Sequence, residues 1–233
     1  MSNVLSVEDI LLRRVNERVI NCKSCPRLTK YIKEVEKTKA KFNDQIYWAK
    51  PVPTFGDPKA KLLVIGLAPA AHGGNRTGRI FTGDSSGDWL ARALFETGFA
   101  NKPTSVTKDD GLVLKDVYLT AAVRCASPQN KPDPAEISSC SQYLLAETRI
   151  LEKTTKVILT LGKIAFNAYC NVSNVKGLKF GHNKIYSMYD GKTLIVSYHP
   201  SRRNTNTGTL IWSMWVNIFQ TARSIINAEN KVE

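Results

Sequence analysis

Two groups of residues in the 233-residue chain could do chemistry. Cys22 and Cys25 form a CxxC, and Cys125 and Cys140 follow far downstream with fourteen residues between them. Thiolates in such a set suit zinc or an iron–sulfur cluster. Zinc ribbons usually bring two close pairs, and here only one pair is close, so spacing alone leaves the metal open. Five cysteines make an odd set, which argues against a disulfide framework. Cys170, alone on an apolar helical stretch, reads as a buried free thiol.

The second group is a carboxylate and an imidazole. Asp84 closes the loop that follows an apolar run, and His199 ends the last strand-like segment. Facing each other in a cleft, they would make an acid–base or electrostatic pair. Asp84 equally suits an N-cap of the helix after it, and with Asp88 it could serve a metal-dependent nuclease. His199 equally suits a core or turn position fixed by Pro200. Phe81 is either core or a stacking platform for a planar ligand, and His72 reads as structural. No nucleotide fingerprint is present: Gly162-Lys163 lacks the upstream Gly and the following Ser or Thr of a phosphate loop.

Elements to position these groups follow from hydrophobic spacing. Leu62–Ile65, Val117–Val123, Val157–Leu161 and Thr193–Ser197 are short apolar runs that read as buried parallel strands. Helices are expected over Val7–Asn21, Leu28–Lys41, Trp89–Thr97, from Pro134, over Lys163–Tyr169 and along the last segment, which carries Trp212, Trp215 and Phe219. The helix over Leu28–Lys41 is expected to be mostly solvated. Residues 128–134 read as a polar turn, 177–189 as irregular or a hairpin, and 201–208 as a polar loop. Alternating strands and helices imply one three-layer α/β/α sandwich around a central four-stranded parallel sheet. Within a single domain, 1–47 is a helical part carrying the CxxC, 48–58 a Pro-rich connection, 59–228 the core and 229–233 a tail. Ligands in such sheets bind at the carboxyl ends of the strands.

The net charge of +13 favours a polyanionic partner, although a thermophile-like, Lys-rich surface would look the same. No apolar run approaches the roughly 18 residues of a membrane span. The opening MSNVLSVEDILLRR mixes acid and base, unlike a signal peptide. The expectation is an intracellular protein with no membrane partner.

Four longer stretches, WAKPVPTFGDP, GLAPAAHGGNRTGRIFTGD, AVRC with its later Cys, and HPSRRNTNTG, resemble the uracil-DNA glycosylase superfamily. The resemblance is to its iron–sulfur-containing type B, or family 5, enzymes of thermophilic prokaryotes, and it runs from the CxxC to the last helix. It implies a uracil-DNA-glycosylase-like fold and a [4Fe–4S] cluster on Cys22, Cys25, Cys125 and Cys140. It puts Gly66, Ala68, Phe81, Ala121 and Asn130 at the base pocket, with Phe81 stacking on the extruded base. His199 with Pro200 would sit at the O2 side of the base, and Ser85, Ser201, Arg202 and Arg203 on the DNA. Ala68 stands where uracil-specific members carry a catalytic Asp, and Ala121 where many carry a uracil-reading Asn, which moves the carboxylate role to Asp84.

The implied activity is monofunctional. Uracil, and other deaminated bases such as hypoxanthine and xanthine, would be flipped from double- or single-stranded DNA and the N-glycosidic bond hydrolysed, leaving an abasic site. The implied setting is a monomer in the prokaryotic cytoplasm, at the nucleoid, with room for a sliding-clamp partner. From other classes, the residues also allow a non-catalytic iron–sulfur DNA-binding module or the nuclease.

Overall fold

The computed structural model describes residues 5–38 and 42–229. Among these, the sheet has six strands: β1 (Phe55–Gly56), β2 (Leu62–Gly66), β3 (Val117–Ala121), β4 (Val157–Leu161), β5 (Lys184–Ser187) and β6 (Thr193–Ser197). Their order is β1-β3-β2-β4-β6-β5. The inner four are the four expected strands, mutually parallel, with Leu62 opposite both Val117 and Val157. The expected sheet was two strands too narrow, because β1 and β5 add at the edges antiparallel to β3 and β6. β1 is two residues long inside the Pro-rich connection, too short to leave a period in the sequence. β5 and β6 form the hairpin that 177–189 suggested.

Period-two side chains split the sheet between two apolar layers. Leu62, Val64, Leu119, Leu159 and Ile195 face α4 (Ser85–Glu96) and α8 (Trp212–Glu229), meeting Leu94, Trp215 and Phe219. Leu63, Ile65, Tyr118, Ile158 and Leu194 face α5 (Pro134–Ile150) and α6 (Lys163–Val172), meeting Leu144 and Phe166. The result is the expected three-layer α/β arrangement.

A third cluster wedges α1 (Val7–Ile20) and α2 (Pro26–Lys37) against α5. Ser6 starts α1, its hydroxyl accepting from the backbone N–H of Asp9 at 3.2 Å. The helix expected over Leu28–Lys41 begins at Pro26, a favoured first position, and is less solvated than expected, since Leu28, Ile32 and Val35 are buried. Its expected end at 39–41, like the tail at 230–233, lies outside the described residues. Helix α4 starts four residues before the expected Trp89, because Asp84 caps it, and β3 stops two residues short of Val123. Two loops hold short helices, α3 (Gly74–Thr77) and α7 (Arg202–Asn206), and 128–130 is a 3-10 turn.

Candidate active site

The carboxyl ends of the parallel strands open into a cleft of about 530 Å³. Its walls are the loop after β2, the start of α4, the segment after β3 and the loop after β6. Ala68, Phe81, Asp84, Ser85, Asn130, His199, Ser201, Arg202 and Arg203 all line it. Nine of the residues expected at the base and the DNA thus converge on one space. Gly66 and Ala121 do not line it. Ala121 is 1% exposed and packs into the core on the α4/α8 side, whereas Gly66 lies behind Phe81. A Cβ at Gly66 would come within 2.5 Å of Phe81 Cζ, so a hydrogen at position 66 is what lets the ring approach the strand end. Phe81 itself sits at a left-handed φ of 51°, a sign of a backbone over-determined by its surroundings.

That backbone is held by two arginines. Arg79, 5% exposed, pairs with Asp110 at 2.8 Å and donates to Thr82 Oγ1 and Ser105 Oγ at 2.8 and 3.0 Å. Burial opposes ionisation of Asp110, but the N–H groups of Leu112 and Val106 and the Arg79 guanidinium hold its carboxyl down at about 2. Arg76 donates to the Gly83 carbonyl at 3.0 Å and to Gln45 Oε1 at 2.7 Å. Neither arginine stood out in the sequence.

Asp84 is both a cap and a cleft residue. Its Oδ1 accepts from the backbone N–H groups of Ser86 and Gly87 at 2.9 and 3.0 Å. Burial raises its pKa, the two backbone donors oppose the rise, and Asp88 adds to it. Asp88 is exposed and lines no part of the cleft, so the two carboxylates do not form a joint site.

His199 is held from several sides. Its carbonyl accepts from Ser201 N–H at 2.8 Å and from Asn204 Nδ2 at 2.9 Å. Ser86 Oγ, next to the Asp84 cap, donates to the Pro200 carbonyl at 3.0 Å. This bond spans 114 residues and locks the imidazole loop to the carboxylate loop. Burial pushes the His199 pKa down to about 4, so the ring is neutral at physiological pH. Arg202 and Arg203 stand exposed at the mouth, and Arg202 Nε donates to Ser85 Oγ at 3.3 Å. His72 bonds Tyr47 through Nδ1 at 2.9 Å.

The cysteines lie elsewhere. Cys22, Cys25, Cys125 and Cys140 line one small cavity with Leu28, Pro51, Val123 and Tyr143. Beside them, Arg27 reaches 109 residues along the chain to Glu136 at 2.6 Å and also pairs with Asp133 at 3.0 Å, clamping the start of α2 to the start of α5. Burial raises the Cys125 thiol above its usual range, and the neighbouring Cys140, Cys22 and Cys25 raise it further. Among the described residues, no three His, Cys, Asp or Glu side chains are placed to hold a single metal ion. Cys170 is buried on α6, in a different cluster.

An α/β sheet whose strand ends carry a ring, a capped carboxylate and a neutral imidazole under a basic rim defines an enzyme-like site for a planar group on a polyanion. The chain belongs to the Uracil DNA glycosylase superfamily, whose family model matches residues 53–221. It is 45% identical to the type-5 uracil-DNA glycosylase of Thermus thermophilus over 88% of this chain and 93% of that one. Against the type-5 enzyme of Mycobacterium bovis it is 42% identical, over 92% and 82%, and against that of Pyrobaculum aerophilum 42%, over 83% and 84%. A type-4 uracil-DNA glycosylase of Thermotoga maritima is similar at 26% identity. No helix among the described residues is long and apolar enough to cross a membrane.

Proposed function

We propose that the protein is a uracil-DNA glycosylase that also accepts deaminated purines such as hypoxanthine and xanthine and leaves an abasic site. The observation that carries this reading is the convergence of Phe81, Asp84 and His199 on one cleft whose mouth presents Arg202 and Arg203. A base inside the helix is out of reach, so it must be extruded into the cleft, where Phe81 offers a stacking face. Bond breaking builds positive charge on the sugar and negative charge on the departing base. Asp84, as an anion, stabilises the sugar and orients the attacking water. His199, neutral at physiological pH, donates a hydrogen bond to the base as it leaves.

The wider base range rests on what the cleft lacks. Ala68 brings only a methyl group to its wall, and Ala121 packs behind it. Without a carboxylate and an amide there, an unfitting base leaves fewer polar groups unpaired, and discrimination relaxes. Cys22, Cys25, Cys125 and Cys140 are read as ligands of a [4Fe–4S] cluster. A set of four thiols around an apolar cavity suits a polynuclear cluster better than one ion. When bound, the cluster would cross-link the α1–α2 loop, the end of β3 and α5 through iron–thiolate bonds. A DNA substrate makes this an intracellular enzyme.

Incubation with uracil-containing duplex in EDTA tests the reading. Free uracil with an intact strand is the expected product. Strand cutting only with added magnesium would indicate a nuclease, and retention without product a binding module. In a lesion panel, release of hypoxanthine beside uracil is expected, and activity on uracil alone would remove the wider specificity.

A further inference from the structure

Beside the base cleft lies a second cavity, of about 410 Å³. Asp84, Ser85, Asn130 and Arg202 line both, so one partition separates the two spaces. The outer walls of the second cavity are Tyr31, Phe42, His72, Ser127 and Gln129. The guanidinium of Arg76 stacks 4.1 Å from the Phe42 ring centre and fixes that ring in place. Tyr47 occupies His72 Nδ1, which leaves Nε2 for a ligand. Ser127 is 2% exposed, yet its Oγ has no hydrogen-bond partner. Buried hydroxyls are normally paired, so an orphan lining a cavity points to a polar ligand there. Gln129 and Asn130 follow one another at left-handed φ values of 53° and 56°. Two such residues in a row, neither of them glycine, store strain of the kind that collects at ligand sites.

Rings, a hydroxyl, an amide and an imidazole nitrogen are the groups that recognise a nucleobase, by stacking and by edge hydrogen bonds. Arg202, on the partition, suits a phosphate between two nucleotides. We propose that this chamber receives the base adjacent to the extruded one when the DNA is single-stranded. The inference rests on the glycosylase reading and adds a second base site to it. In a duplex the neighbouring base is paired and stacked, and drawing it out would cost that pairing. In a single strand it is already unpaired, and stacking in the chamber is a net gain.

Single-turnover uracil release tests this with three single-stranded oligonucleotides. One has ordinary neighbours, one an abasic tetrahydrofuran spacer 5′ to the uracil, and one the spacer 3′ to it. With the native enzyme, one spacer should raise the half-saturating concentration by about fivefold or more, the low end for a base stacked on an aromatic side chain. The double variant Tyr31→Ala, Ser127→Ala should bind the ordinary oligonucleotide more weakly and be indifferent to either spacer. Its unchanged release from duplex DNA is the control for folding. Indifference of the native enzyme to both spacers would overturn the proposal. So would equal spacer effects in the native and variant enzymes, or release from duplex but never from single strands. No uracil release from any DNA would instead overturn the glycosylase reading, and this inference with it.

Discussion

Gly73 and Asp84 are packed so closely that the carboxylate takes the place of the glycine's missing side chain. A Cβ at position 73 would fall inside the van der Waals radius of Asp84 Oδ2. With Oδ1 held by the α4 cap, the position of Oδ2, and with it the charge facing the cleft, depends on a hydrogen at position 73.

Gly73→Ala should therefore slow base release while leaving the fold and DNA binding close to native. Asp84→Asn separates charge from capping, since Asn caps a helix about as well as Asp. Its single-turnover rate should fall by about a hundredfold or more, the effect of losing one acid–base or electrostatic group. A near-native rate with Asn would leave Asp84 a cap alone.

His199 should contribute no step to the pH profile near 6.5. His199 is neutral until about pH 4, and burial shifts Asp84 upward from an ordinary carboxylate value. Base release should fall as pH drops and Asp84 gains its proton, at a higher pH than an ordinary carboxylate would because burial opposes its ionisation. The stability contribution of His199 runs the same way. Its folded pKa lies below the unfolded one, so the unfolded chain takes up the proton first, and stability is lost as pH falls from about 6.5 towards 4. An inflection near 6.5 in the rate would show a solvated, titrating imidazole.

Arg202→Ala with Arg203→Ala should weaken DNA binding at any sequence. It should also lower the slope of log affinity against log salt by about two, one for each phosphate that an arginine no longer neutralises. Filter binding across a salt series reads both, and an unchanged slope would remove these residues from the interface.

Purified protein should be brown and hold about four irons, as a four-thiolate [4Fe–4S] cluster requires. Cys125→Ser should lose iron and stability together, because it breaks a link between distant segments, whereas Cys170→Ser should lose neither. One equivalent of zinc and no visible absorption would identify a different metal.

Arg124 and Glu147 form an ion pair with side chains 2% and 0% exposed, and Thr120 Oγ1 donates to Glu147 at 2.6 Å. Arg124→Ala leaves a buried carboxylate without its cation and should cost about 3–5 kcal/mol in urea unfolding. Replacing both residues with Met should recover most of that loss, because the cost lies in the orphaned charge. If the double variant is as unstable as the single one, packing and not charge holds this site.

Much of the architecture was legible in the chain because it rests on local physics. Val157–Leu161 can only be buried on both faces, and four such runs separated by helical spacing leave little beyond a parallel sheet. Ser6 and Asp84 cap their helices within three residues of themselves. The motif stretches likewise announced the family, because most of them are contiguous. β1 and β5 were not plainly marked, since one is two residues long and the other is a largely exposed edge.

What the tertiary structure alone decided is which distant groups meet. The Ser86–Pro200 bond brings carboxylate and imidazole loops together, Arg27 ties the start of α2 to α5 through Glu136, and Arg76 and Arg79 hold the loop carrying Phe81. Ala121 matched a motif position yet packs into the core, because β3 ends there and the cleft opens beyond it. The neutrality of His199 and the raised pKa of Asp84 come from desolvation by neighbours far away in sequence. Spacing along a chain records the period of a helix or a strand, but it holds no measure of burial or of distance across a fold.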